Sequence, residues 1–438
     1  MKKVSIATFG CKVNQYESAC ILHDFRQQGY ETVSLTQEAD IYIINTCTVT
    51  GRTDYKSRNA IRRALEKKRE KPEVKIIVTG CYAQLHDERI REMGEIDLIV
   101  DNNNKDRIFS FLQENRHDFI ADTSLFETFT EQKTGSLFER TRAFVKIQDG
   151  CDYFCAYCTV PLARGKPRSR KLEEIITQIG QLAENGYREF VLTGINLGLY
   201  GKDFSEKDPY SLVSLLNEIE KIEKVKKIRL SSLEPQLLND SILEYFSQSR
   251  KLCPHLHIPL QSGSDEILQA MGRPYFKEDY LRLLMKIKAI LPDAAIGSDL
   301  ILGLPGENEE LFQETLSFID RLPLVYLHIF PYSRRPGTKA ARMSGIPQTK
   351  EVKQRSVRLS QLMVRKRREY ITYLLKERVK MAGILERKRG EYWTALSDHY
   401  LRLYLCPESD VWDKGDLITC IPKREIYDGL EVVIDDRN

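Results

Sequence analysis

No apolar run in this 438-residue chain is long enough to span a bilayer. The opening MKKVSIATFGCKVN has basic residues, but its apolar stretch is too short for a signal peptide. The expectation is a cytoplasmic protein with no membrane partner. Low-complexity tracts and fixed-period repeats are also missing, which excludes the repeat architectures. Ten cysteines are too few for a disulfide scaffold at this length. In a reducing compartment, clustered cysteines read instead as metal ligands or catalytic groups. Cys20, Cys253, Cys406 and Cys420 have no partner at ligand spacing, so each is expected to be a small buried apolar side chain.

What is present is enough apolar material for real cores, 42% hydrophobic residues beside 30% charged. The length suggests roughly three domains. A net charge of +4 hides an asymmetry, because Lys353 to Arg389 alone carries thirteen Lys or Arg against three Asp or Glu. The remainder is therefore net negative. A basic block beside an acidic remainder suggests a polyanion partner, most simply nucleic acid, against the alternative of a solvated helix surface.

Residues 1–118 alternate strand and helix signals: VSIATF, a helix from Tyr16 to Gln28, DIYIINT, a helix from Lys56 to Glu70, VKIIVTG, a helix from Asp87, and IDLIV. This is the pattern of a doubly wound parallel sheet. Cys11, Cys47 and Cys81 fall just after the first three strands, so the topology would bring three thiolates to one sheet edge. A polar stretch near Thr123 to Ser136 reads as a linker. Over 137–367 six strand-like runs, RAFVKI, EFVLTG, KIRLSS, HLHIPL, AAIGSDLI and VYLHIF, alternate with helical ones and predict an open (β/α)6 partial barrel. Over 370–435, short alternating runs divided by polar turns predict a small antiparallel β barrel, with Tyr392 and Trp393 as exposed aromatics suited to nucleic acid.

The sharpest motif is CDYFCAYC, from Cys151 to Cys158, directly after the first barrel strand. Gaps of three and two residues let one short loop wrap three thiolates around one cubane, leaving its fourth iron for a small molecule. Structural zinc is the main competitor, but no fourth Cys or His lies nearby in sequence to complete its site.

This loop, with aromatic Tyr157 before its last cysteine, resembles the signature of the radical S-adenosylmethionine (SAM) superfamily. The resemblance implies that Cys151, Cys155 and Cys158 hold a [4Fe-4S] cluster whose free iron chelates SAM, with Tyr157 packed beside the cofactor. TFGCKVNQYES around Cys11, INTCTVT around Cys47 and VTGCYAQ around Cys81 narrow the likeness to the methylthiotransferases, which carry a second [4Fe-4S] cluster and a terminal TRAM module. Further matching segments include RGKPRSR, LTGINLGLYG, RLSSLEP, HIPLQSGSD, MGRPY, GSDLILGLPGE and FPYSRRPGTKA. GCKVNQ, TGINLG and RLSSLEP resemble the branch that modifies threonylcarbamoyladenosine in tRNA; the isopentenyladenosine branch tends to read GCQMN and TTSHP, and a third branch modifies a ribosomal protein aspartate.

What the family implies is radical chemistry at an inert adenine carbon 2, with one SAM as radical source and a second as methyl donor to sulfur held near Cys11, Cys47 and Cys81. A low-potential electron donor and a sulfur donor would be needed. Polar groups at strand ends are the natural cofactor contacts: Thr193, Gly194, Asn196, Ser231, Glu234, Gln261 and Asp299, with Gly194 allowing close approach of backbone to ligand. Candidate tRNA phosphate contacts are Arg164, Lys166, Arg168 and Arg170, then Arg365 to Arg368 and Arg387 to Arg389.

Overall fold

The computed structural model describes residues 1–130, 141–205, 210–406 and 412–435. Its first layer is an all-parallel sheet of β1 (Lys3–Thr8), β2 (Glu31–Thr32), β3 (Ile41–Thr46), β4 (Lys75–Gly80), β5 (Leu98–Val100) and β6 (Asp118–Phe119), in the order β2-β1-β3-β4-β5-β6. The crossovers are α1 (Lys12–Gln27), α2 (Gly51–Glu70), α3 (Cys81–Arg91) and α4 (Ile108–Gln113). Strands β3 and β4 read as unbroken apolar runs because helices cover both faces. Ile44, Ile76 and Val78 pack with α2 residues Ile61 and Leu65, whereas Ile43 and Ile77 pack with α1 residues Ile21 and Phe25. The first three helices begin earlier than periodicity indicates, since their first turns carry the polar and cysteine residues of the motifs, which contribute no apolar signal.

The proposed linker Thr123–Ser136 runs partly into residues 131–140, outside the described residues. Its start packs down, with Phe126 buried beneath the Arg168 guanidinium. Next come β7 (Arg142–Lys146) and a short antiparallel ribbon, β8 (Gln148–Asp149) with β9 (Arg168–Ser169). The barrel continues as β10 (Glu189–Thr193), β11 (Lys227–Leu230), β12 (His255–His257), β13 (Ala295–Leu302) and β14 (Tyr326–Pro331). Parallel triplets β7-β10-β11 and β12-β13-β14 meet through a parallel bridge between Ile228 and Leu252. Side chains alternate along these strands. Val145, Phe190, Leu192, Ile228 and Leu256 join the core under the helices. The opposite phase, Arg142, Glu189, Arg229, His257, Asp299 and His328, makes an interior that is polar and charged.

The long α12 (Thr349–Lys376) leads to the last domain. There β15 (Met381–Arg389), β16 (Tyr392–Ser397), β17 (Arg402–Leu405), β18 (Leu417–Ile426) and β19 (Gly429–Ile434) close into a five-stranded barrel. It departs from the expected all-antiparallel pattern, because β17 pairs with β19 in parallel to complete the closure. Tyr392 and Trp393 are buried, contrary to expectation, since β16 turns them into the barrel and its rim. Cys406 is exposed, also contrary to expectation, whereas Cys20, Cys253 and Cys420 are buried. The β16–β17 loop caps the far end of the partial barrel: Arg229 Nη2 donates to the Ser397 carbonyl at 2.8 Å, Lys227 pairs with Asp398 at 3.0 Å, and Tyr400 stacks on His255 at 4.2 Å. Among the described residues no helix is long and apolar enough to cross a membrane.

Candidate active site

Cys11, Cys47 and Cys81 follow β1, β3 and β4, three adjacent strands, at the carboxyl edge where the strand order reverses. Ligands of open α/β sheets bind at that switch point. Asn14 ties the loops together, its Nδ2 donating to the Phe9 carbonyl at 2.8 Å and to the Thr46 carbonyl at 2.9 Å. Two glycines permit the close approach. A Cβ on Gly10 (φ +92) would stand 2.5 Å from the Cys47 sulfur, and one on Gly80 (φ +97) 2.2 Å from the Thr46 carbonyl oxygen. Burial, together with Cys81 and Cys11 nearby, pushes the Cys47 thiol up to about 12.

Beneath this edge lies a buried ionic network that the sequence did not announce. Arg164 is fully buried; its Nη1 pairs with Glu17 at 2.8 Å and Asp149 at 2.9 Å, its Nη2 donates to Asn14 Oδ1 at 2.7 Å, and its Nε lies 3.4 Å from the Cys81 sulfur. Lys105 and Lys146 also pair with Glu17. Burial alone would raise the Glu17 carboxyl, yet Arg164, Lys105 and Lys146 hold it well below its ordinary range. With Arg168 beside Asp149, four buried cations face two buried carboxylates. That excess positive charge next to Cys81 suits an anionic thiolate cluster.

Cys151, Cys155 and Cys158 lie on the loop leaving β8. The loop is pinned by Cys151 N to the Gly165 carbonyl (3.0 Å) and Ala156 N to the Met271 carbonyl (2.9 Å), with Phe154 at its tip in the left-handed region (φ 46). The amide of Val160, which opens α5 (Val160–Arg164), donates to the Cys158 sulfur at 3.4 Å, and Arg273 Nη1 to the Cys155 sulfur at 3.2 Å. Donors aimed at sulfur stabilise thiolates. Arg273 also pairs with Glu234. Its role was missed in sequence, although it stands in the segment MGRPY.

A cavity of about 210 Å³ lies between Cys158 and the segment just beyond Cys47. Tyr157, Cys158, Gln261 and Asp299 line one side, and Val49 and Thr50, just beyond Cys47, the other. Gln261 holds a left-handed backbone (φ 71), unusual for a non-glycine residue and common at ligand sites. The Asn196 side chain faces the Cys151 thiol, and it and Ser231 bury side-chain polar atoms with no nitrogen or oxygen hydrogen-bond partner among the described residues. Thr193 is buried at the end of β10. The space beside Gly194 is taken by Gln148, 3.1 Å from where a Cβ would be, so this glycine admits a protein side chain rather than a ligand. Asp299 is bonded to His257 at 3.0 Å and His328 at 3.1 Å, which hold its carboxyl low against the effect of burial.

Among the described residues, these three are also the one set of potential metal ligands lying within 4.8 Å of one another. Neither cysteine triad is that tight. Thiolates sharing one zinc ion crowd together, whereas thiolates on different irons of a cubane stand further apart. The spacing, the sulfur-directed donors and the orphaned amide of Asn196 fit clusters with an exchangeable polar ligand.

Residues 3–101 match the family described as Uncharacterized protein family UPF0004, and residues 145–319 match the Radical SAM superfamily. Threonylcarbamoyladenosine tRNA methylthiotransferase MtaB of Aquifex aeolicus is 40% identical, covering 84% of this chain and 89% of its own. Its namesake in Bacillus subtilis is 38% identical over 94% and 92%. The chain belongs to the radical SAM methylthiotransferase family. Membership implies one [4Fe-4S] cluster and SAM. The tRNA-2-methylthio-N(6)-dimethylallyladenosine synthase of Oceanobacillus iheyensis is 34% identical over 83% of this chain and 70% of its own. In fold alone, the radical SAM methyltransferase TsrM from Kitasatospora setae is similar at 14% identity, with a TM-score of 0.59 over 78% of this chain and 77% of that one.

In this methylthiotransferase most of the expected phosphate contacts are structural. Arg164, Arg168 and Arg170 are buried, and of that group only Lys166 is exposed. On α12, Lys366 is buried and donates to the Asp320 carbonyl at 2.8 Å, Arg365 pairs with Asp320 and Glu369, and Arg367 donates to the Asp428 carbonyl at 2.6 Å; Arg368 stays exposed. The basic block thus clamps the last domain onto the barrel. Arg387, Lys388 and Arg389 are exposed; Arg389 lies over the ring of Tyr427, which is 71% accessible, and donates to the Tyr404 hydroxyl at 3.1 Å.

Proposed function

We propose that this enzyme methylthiolates carbon 2 of threonylcarbamoyladenosine next to the anticodon of tRNA. The carrying observation is the cavity with Tyr157 and Cys158 on one wall and Val49 and Thr50, following Cys47, on the other. Radical formation and sulfur delivery need not be linked by a long migration. Cys151, Cys155 and Cys158 would hold the cluster that binds SAM, and Cys11, Cys47 and Cys81 a second [4Fe-4S] cluster. When bound, these groups supply the one-electron chemistry and the methylated sulfur that side chains cannot.

The chain's own residues do the rest. Arg273 and the Val160 amide hold thiolate charge, and Asn196 and Ser231 offer unspent hydrogen bonds to the polar ends of SAM. Arg164 and Lys105 balance the charge at Cys81. Arg387, Lys388 and Arg389 with exposed Tyr427 form the surface suited to RNA phosphates and a stacked base. Electron and sulfur donors would come from partners, in the cytoplasm where tRNA is. The branch assignment is supported by the 37–40% identity to three proteins named MtaB, against 34% for relatives named for dimethylallyladenosine, a value the MtaB of Rickettsia prowazekii shares.

The test is mass spectrometry of nucleosides from tRNA incubated anaerobically with reduced, reconstituted protein and SAM. A methylthio gain only on threonylcarbamoyladenosine is expected. A gain only on the dimethylallyl nucleoside keeps the chemistry and overturns the branch; no gain on either with SAM still cleaved points to a ribosomal protein.

A further inference from the structure

We propose that Lys12 anchors the carboxylate of the threonylcarbamoyl group inside the partial barrel and so determines which modified adenosine is accepted. The proposal rests on the substrate reading above and deepens it. Lys12 follows Cys11 and opens α1, the helix that packs along β7. Its charged neighbours are Arg229, Arg142 and Asp299, besides the Cys11 thiol next to it in the chain. All three stand at inward-facing positions of the barrel strands, in opposite phase to the residues that pack under the helices.

Each of those three is already satisfied. Arg142 pairs with Glu386 at 2.8 Å. Arg229 pairs with Glu189 and donates to the Ser397 carbonyl at 2.8 Å. Asp299 takes His257 and His328. Lys12 alone has no hydrogen bond or ion pair among the described residues, although it is half-buried. An ammonium withdrawn from water beside two guanidinium groups is unfavourable unless an anion arrives.

The carboxylate and imidazole groups of this interior can be reached from outside. Asp299 also lines the cavity beside Tyr157 and Gln261, and the His328 side chain is 52% accessible. A threonylcarbamoyl group brings one carboxylate, together with a hydroxyl and a carbamoyl that the His257–Asp299–His328 trio can bond. A dimethylallyl group brings none of these. Entering this chamber it would leave Lys12 buried without a partner, the kind of mismatch that discriminates strongly between substrates.

The experiment measures binding of the full-length, anaerobically reconstituted protein to anticodon stem-loop RNAs. Two carry either the threonylcarbamoyl acid or its carboxamide, which is neutral and of the same shape; a third carries unmodified adenosine. Wild-type protein should prefer the acid over the amide by about tenfold to a hundredfold, the worth of one charge-assisted hydrogen bond. Lys12→Gln should abolish the preference without changing affinity for unmodified RNA, and Lys12→Arg should restore part of it. A Lys12→Gln protein that keeps the full acid preference overturns the anchor. So does a wild-type protein that shows none, a comparison that needs no variant to fold or to keep its iron. Methylthiolation assays on the same acid RNA separate the two levels: product without acid preference rejects Lys12 and leaves the function standing, whereas product only on dimethylallyl RNA rejects both.

Discussion

Arg164 Nε stands 3.4 Å from the sulfur of Cys81 while Nη1 of the same guanidinium pairs with Asp149, two residues before Cys151. One side chain thus couples the two cysteine sets. It is held from the N-terminal layer by Asn14 and Glu17 and belongs itself to the short helix after the Cys151 loop.

Replacing Arg164 by Ala would leave Glu17 and Asp149 buried with fewer cations. A loss of about 3–5 kcal/mol is expected, seen as a lower unfolding midpoint, together with loss of iron from the Cys11 set. Unaltered stability and iron would show that the network is not needed.

The two cysteine sets should hold iron independently. Changing Cys11, Cys47 and Cys81 together to Ala should remove about half of the iron and sulfide and abolish methylthiolation, while reductive SAM cleavage persists. Changing Cys151, Cys155 and Cys158 should remove the other half and all SAM cleavage. Iron analysis beside a SAM-cleavage assay checks both.

Docking of the last domain should depend on pH. Burial opposes a charge on His399, but Asp293 at 3.1 Å and Asp398 at 2.8 Å outweigh it and raise the imidazole to about 9. Its folded value lies above the unfolded value of about 6.5, so this contribution is complete below pH ~6.5 and is lost as pH rises towards 9. It amounts to about 3 kcal/mol. Thermal unfolding followed from pH 6.5 to 9 should show the decline, and His399→Asn should flatten it.

RNA affinity should reside on the β barrel rim rather than on α12. Ala at Arg387, Lys388 and Arg389 together should weaken tRNA binding and reduce its logarithmic salt slope by about 0.7–0.9 for each phosphate left unneutralised. Lys366→Ala should instead lower stability, because its ammonium bonds the Asp320 carbonyl from a buried position. A filter-binding salt titration with parallel melting curves separates the effects.

Local pattern carried much of this. Parallel strands between helices show as apolar runs alternating with 3.6-residue periodicity, and a cysteine just past a strand end must fall on the sheet's carboxyl edge, so Cys11, Cys47 and Cys81 could be grouped from sequence. The CDYFCAYC spacing is itself local, so it too needed no coordinates.

Charge was another matter. A run of Arg and Lys looks the same in sequence whether it faces solvent or a carboxylate distant in the chain. Arg164 is 147 residues from Glu17, and Arg365 is 45 from Asp320. Only the folded arrangement decides which cations are internal ties and which stay exposed, and that Lys12 makes no ion pair among the described residues, because ion pairing depends on distance in space rather than along the chain.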